Sequence, residues 1–222
     1  LSMQSAALFL TAILGGFLLV SIPALADEDI SKVNGSIRVE DGRSMGDLGT
    51  VNGSIRVGAN SRAVEVSSVN GSIEIESGAQ VESADTVNGR ISIGKQARVA
   101  QDMETVNGSL RLDEGSEVGA DLSNVNGAIT LRAAHVVGRI STVNGDIDIG
   151  ADSRVDGGIL VEKSNSWFSW SNSKPPRVVI GPRAVIGGSM VFQREVELHV
   201  SESAKVGTIE GATPRMFAGD TP

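Results

Sequence analysis

"TVNGSIRVGANSRAVEVSSVNGSIEI", Thr50 to Ile75, holds two copies of Val-Asn-Gly 18 residues apart. The trio begins at Val33, Val51, Val69, Val87, Val106, Val125 and Val143, in steps of 18, 18, 18, 19, 19 and 18 residues. A catalytic motif is needed once. A trio returning at one fixed period reports a stacked unit in which every copy holds the same place. Within this stretch Val51, Ile55 and Val57 alternate with polar residues, the period of a half-buried strand. Asn52-Gly53 is a turn or bulge dipeptide, since both residues accept positive φ at low cost. Recurrent glycine and the lack of an apolar stripe at helical spacing exclude helices.

A finer period runs inside the repeat. Val33, Val39, Met45, Val51, Val57, Ala63, Val69, Ile75, Val81 and Val87 stand six residues apart, and all are apolar. After the slips, Val106, Leu112 and Val118 continue the series, then Val125, Leu131, Val137, Val143, Ile149, Val155 and Val161. Three such steps per turn predict an all-β fold: a single-stranded parallel β-helix (β-solenoid), triangular, of about 18 residues per coil, each hexad apolar facing the axis. Coils then stack at about 4.8 Å. Asn34, Asn52, Asn70, Asn88, Asn107, Asn126 and Asn144 fall in one column, where each primary amide can bond the next in a ladder that satisfies buried turn polarity. Four copies also read as the N-glycosylation sequon Asn-Gly-Ser, but the structural reason accounts for all seven.

Leu1 to Ala26 carries no charge and joins an apolar run to Pro23 and the small-residue triplet ending at Ala26. That is the layout of a secretory signal peptide cleaved after Ala26, so the protein is expected to be exported, to the periplasm or the cell surface. The solenoid is expected over 27–212, with 213–222 as a tail or cap. The net charge of −8 argues against nucleic acid and anionic lipid as partners. With no cysteine, disulfides, thiol catalysis and cysteine zinc sites are excluded.

At "TVNGSIRV", "IGKQARVAQDM" and "VVIGPRAVIGGSM" the chain resembles two bacterial groups. One is the exported, adhesin-like β-strand-repeat family. The other is the bactofilins, polymer-forming β-helix proteins, similar to the "IGPRAVIGGSMVF" stretch. The export signal and the aromatic stretch depart from a bactofilin. Hexapeptide acyltransferases share "IG-x-x-A-x-I-G" but form left-handed coils with small residues two before each hexad apolar. Ile37, Ile55 and Ile73 stand there instead, which favours a right-handed coil.

Residues with chemistry are few. His135 and His199, the only histidines, are expected as solvated strand residues. Asp146, Asp148, Asp152 and Asp156 alternate as acids do on a wet strand face, without the glycine-rich pattern of calcium β-rolls. Arg38, Arg56, Glu74, Ser92, Arg111, Thr130 and Asp148 form an outward column of mixed sign. "KSNSWFSWSNSKPPR", Lys163 to Arg177, breaks the hexads before Ile180, Ile186, Phe192, Leu198 and Ala204 restore them. It reads as a loop protruding from one continuous solenoid. Its Trp167, Phe168 and Trp170 are a contact site for envelope glycan or a protein partner, or a lid on an apolar seam. The sequence therefore predicts a non-enzymatic exported structural or interaction protein without cofactors, a monomer or small oligomer. The alternatives are a bactofilin-like polymer and, third, a polysaccharide-acting enzyme.

Overall fold

Ten strands pair in parallel along one face of the molecule, from Ile37–Val39 at one end to Arg215–Phe217 at the other. The computed structural model describes residues 28–163 and 174–222, and every strand pairing among them is parallel. Each full coil supplies strands to three faces. The first face holds two-residue strands such as Arg98–Val99, Glu117–Val118 and His135–Val136. The second holds Leu48–Asn52, Met103–Asn107, Leu122–Asn126 and their equivalents, and the third is the ten-stranded sheet. In two early coils the first and second faces run through one nine-residue strand, Arg62–Asn70 and Gln80–Asn88. The fold is a triangular parallel β-solenoid, as the period predicts.

The register on the third face gives the coil lengths. Ile37, Ile55, Ile73 and Ile91 are partners at steps of 18, and Leu110 and Ile129 follow at 19. Ile147 pairs with Val178, a step of 31, so the extra residues lie in the excursion that leaves at Lys163 and returns by Arg177. Insertions sit at corners. The first 19-residue coil gains its residue between Val99 and Met103, where the nine-residue strand gives way to two shorter ones. An extra residue inside a strand would turn every later side chain to the opposite face.

Strand alternation fills the axis. The third face contributes two inward columns, Ile55-Ile73-Ile91-Leu110-Ile129 and Val57-Ile75-Ile93-Leu112-Leu131, all 0–1% exposed. The first face adds Val81, Val99, Val118, Val136 and Val155, and the second adds Leu48, Val66, Ala84, Met103 and Leu122. One expected column is corrected. Val51, Val69, Val87, Val106 and Val125 are half-buried because the inward residue is the one before each; Val143 is buried as expected, and Val33, in the end coil, is 68% exposed. Thr50, Ser68, Thr86, Thr105, Asn124 and Thr142 hold that place. Val137 is corrected likewise: it is 40% exposed, and Val136 faces inward after a one-residue slip. The solenoid also continues past residue 212, since Arg215–Phe217 adds the last strand beside Glu197–Ser201.

Coil spacing explains the glycines. A Cβ placed on Gly108 would overlap the carbonyl of Gly89 one coil away, and the same holds for Gly71 against Gly53. Glycine is needed here for backbone approach, a stronger demand than permissive φ. Gly42 differs: its φ is +70° and no atom stands within 4 Å of its would-be Cβ. Gly42→Ala should therefore lose only the left-handed preference, about 1 kcal/mol. Gly108→Ala must push adjacent coils apart and should lose about 3 kcal/mol. Urea denaturation of the two variants checks this, and equal losses would contradict the close approach.

Candidate functional site

The most regular polar constellation is the corner between the second and third faces, where all seven Val-Asn-Gly copies meet. Asn52 Nδ2 donates to Asn34 Oδ1 at 3.1 Å, and Asn70, Asn88, Asn107, Asn126 and Asn144 each donate to the preceding amide at 2.9–3.1 Å. The column has one polarity, with a donor at Asn34 and an acceptor at Asn144. All seven amides are exposed, so the ladder runs outside the coil and not within it. The buried polarity of the corner is met from inside. Thr50, Ser68, Thr86 and Thr105 hydroxyls donate to the carbonyls of Gly35, Gly53, Gly71 and Gly89 at 3.0–3.3 Å. The working motif is thus hydroxyl-Val-Asn-Gly. Where the trio is absent the hydroxyl is absent too, and Val161 and Phe192 fill the inward place.

The ladder stops at a cation. Arg194 Nη1 donates to Asn144 Oδ1 at 2.5 Å and to the Val143 carbonyl at 3.0 Å, covering the acceptor end. Beyond it, on the same edge, opens a cleft of about 900 Å3 lined by Pro175, Glu195, Glu197, Leu198, Ala212 and Arg215. His199 Nε2 lies 3.1 Å from Glu197 Oε1, and Arg215 Nη1 lies 3.3 Å from it. The imidazole first, then the guanidinium, holds the Glu197 carboxyl below its ordinary range. Trp167, Phe168 and Trp170, like the expected signal peptide, lie outside the described residues.

The other candidate residues are brought into separate pairs. His135 and His199 are both half-buried, more enclosed than solvated strand residues; on the first face His135 Nε2 lies 2.9 Å from Asp156 and its Nδ1 3.7 Å from Glu117. Arg154 binds the other Asp156 oxygen at 2.6 Å, and Arg98 binds Glu117 at 3.1 Å. Glu117 thus lies between Arg98 and His135, and Asp156 between His135 and Arg154. Neither imidazole meets a hydroxyl among the described residues. Asp152 holds Arg183 in a two-pronged pair at 2.7 and 2.6 Å, and Asp146 accepts the Arg177 N–H at 2.8 Å. Asp148 stands apart, outward between Thr130 and Val179. Among the described residues no three such groups converge as metal ligands. Arg38, Arg56, Glu74, Ser92, Arg111, Thr130 and Asp148 do form one outward column, with Arg56 paired to Glu74 at 3.2 Å and also to Glu76.

An acidic edge escaped the sequence reading. Asp47 N donates to Asp29 Oδ1 at 2.8 Å, Glu65 N to Asp47 at 3.2 Å and Asp121 N to Asp102 at 2.9 Å, one carboxylate serving the next coil's backbone. Their spacing of 18 and 19 residues is visible in the sequence once the coil length is known. Beside this edge Asp85 and Glu104 are direct partners on adjacent outward strands. Burial, then the charges of Glu104, Glu65 and Asp102, push the Asp85 carboxyl up to about 7.

Compared with protein-family models, with curated proteins and with solved structures, the chain finds no match. The fold therefore rests on the chain's own repeat and register.

Two outcomes follow from this surface. Asn88→Ala breaks two ladder bonds and Asn34→Ala one, at about 0.5–1 kcal/mol for each exposed bond. The thermal midpoint should fall roughly twice as far for the interior variant. For Asp85, the folded protein keeps a proton that the unfolded chain releases near pH 4, so stability falls as pH rises from about 4 through 7. Asp85→Asn should raise the thermal midpoint at pH 8 and leave it nearly unchanged at pH 4. A variant that is no more stable at pH 8 would contradict the crowding of carboxylates.

Proposed function

We propose that this chain is a non-enzymatic, exported structural or interaction protein of the bacterial cell envelope, of the adhesin-like β-strand-repeat kind. The observation that carries the reading is the uninterrupted ten-stranded face. Nine steps of about 4.8 Å make a rod about 43 Å long. Several of its outward charges pair with one another across or along the coils: Arg98 with Glu117, Lys95 with Glu114, and Arg183 with Asp152. A surface satisfied in this way suits a spacer or display scaffold better than a catalyst, which needs reactive groups converging on one cleft. The contact site of this reading is Trp167, Phe168 and Trp170, three aromatics in a stretch otherwise made of Ser and Asn. The uncharged stretch 1–26 supports export.

Fractionation of the native host, with N-terminal sequencing, tests the localisation: protein beginning at Asp27 outside the cytoplasm is expected. Replacing Trp167, Phe168 and Trp170 together by Ser should abolish binding to isolated envelope glycan or envelope protein and leave the thermal midpoint nearly unchanged. Cytoplasmic protein retaining Met3, or a triple variant that binds as before, would overturn the reading.

A second reading, the bactofilin-like polymer, is favoured by the coil ends. Strands Ile30–Asn34 and Ile37–Val39 are paired on one side only among the described residues, and Met216 at the other end is 56% exposed. Open strand edges invite growth. Light scattering of the protein from Asp27 onward separates the two: a monomer or small oligomer fits the first reading, and filaments fit the second.

A further inference from the structure

Asn-Gly is also the dipeptide most prone to convert itself. The glycine nitrogen attacks the asparagine Cγ, a C–N bond forms, and the Cγ–Nδ2 bond breaks to release ammonia. Water then opens the resulting five-membered imide to aspartate or isoaspartate, with no oxidant or reductant involved. The reaction is slowed by a hydrogen bond on the glycine N–H, which must lose its proton, and by bonds on the carboxamide, which must turn. In this solenoid the bonds that join the coils occupy both groups. Gly35, Gly53, Gly71, Gly89 and Gly108 N–H each donate to the asparagine carbonyl of the next coil at 2.9–3.2 Å. The carboxamides are fixed in the ladder.

One copy lacks the backbone half of this protection, while its carboxamide stays in the ladder between Asn107 and Asn144. Gly127 N–H has no protein acceptor among the described residues, and Gly145 N–H turns instead to the Thr142 hydroxyl at 2.9 Å. The corner is irregular for a visible reason. Asn124 replaces the inward hydroxyl, its Nδ2 bonds the Gly127 carbonyl at 2.7 Å, and its buried Oδ1 has no partner. Strand pairing stops early here: Asn107 pairs with Asn126, whereas Leu122 and Ser123 are the last residues registered with the following coil. We propose that Asn126-Gly127 is a site of spontaneous succinimide formation and deamidation in the folded protein, and that the other internal copies are shielded by the stack.

The product would divide the ladder. A carboxylate at residue 126 has no N–H to donate to Asn107 Oδ1, and an isoaspartate adds a backbone atom to the corner. The test is ageing of the whole protein at 37 °C and pH 8, folded and in urea, followed by peptide mapping of the seven Val-Asn-Gly asparagines. In the folded sample Asn126 should gain the acid and isoacid products several-fold faster than Asn52, Asn70 and Asn88. In urea that lead should vanish. Asn126 converting no faster than Asn70 when folded, or Asn34 leading because the end coil frays, would overturn the assignment. An equal lead in urea would also overturn it, by tracing the preference to local sequence.

Discussion

The backbone of one Val-Asn-Gly corner rests directly on the carbonyl of the corner beneath it, with no room for a side chain carbon between them. That contact sets the coil spacing, and the rest of the molecule follows from it. At one strand separation per coil, like residues stack on like. Apolar columns then line the axis, and primary amides reach one another along the outside. The inward hydroxyl of Thr50, Ser68, Thr86 or Thr105 completes the corner by satisfying a carbonyl that would otherwise be buried unpaired. Val161 and Phe192 show the same logic in reverse, since an apolar side chain returns once there is no glycine carbonyl to satisfy.

Much of this was legible in the sequence because a solenoid writes its tertiary contacts as a period. The parallel stack, three faces per coil, the single asparagine column and the outward column from Arg38 to Asp148 all follow from residue spacing. Hydrophobicity misled at one place. The valine of Val-Asn-Gly is the obvious apolar residue, yet it stands at the last position before a corner and turns half outward. The axis position belongs to a polar threonine or serine, whose burial is intelligible only with its carbonyl partner in view. The strand at Arg215–Phe217 was missed because Met216 and Phe217 follow a coil step of 16, outside the period. The acidic edge was overlooked for another reason: acids on a strand look like ordinary wet surface until the coil length brings Asp85 and Glu104 side by side.

For function, the regularity itself is informative. Three outward columns are ladders in which neighbours from consecutive coils answer one another, by amide to amide, carboxylate to backbone N–H, or carboxylate to guanidinium. These columns commit their hydrogen-bonding capacity to the stack. The breaks are the places where it does not: the irregular corner at Asn124 to Gly127, and the edge beyond Arg194 where the cleft opens. A partner or a chemical modification has the most to work with there.

Native-state hydrogen exchange tests most directly whether the corner clamps the coils. If glycine-to-asparagine backbone bonds hold the stack, the amides of Gly53, Gly71, Gly89 and Gly108 exchange only with the global unfolding that also releases Ile55, Ile73 and Ile91. Gly127, without an acceptor among the described residues, exchanges faster than any of them. Corner glycines exchanging as an open turn while the strand amides stay protected would contradict the account: the corners would then be passengers, and the apolar axis alone would hold the coils together.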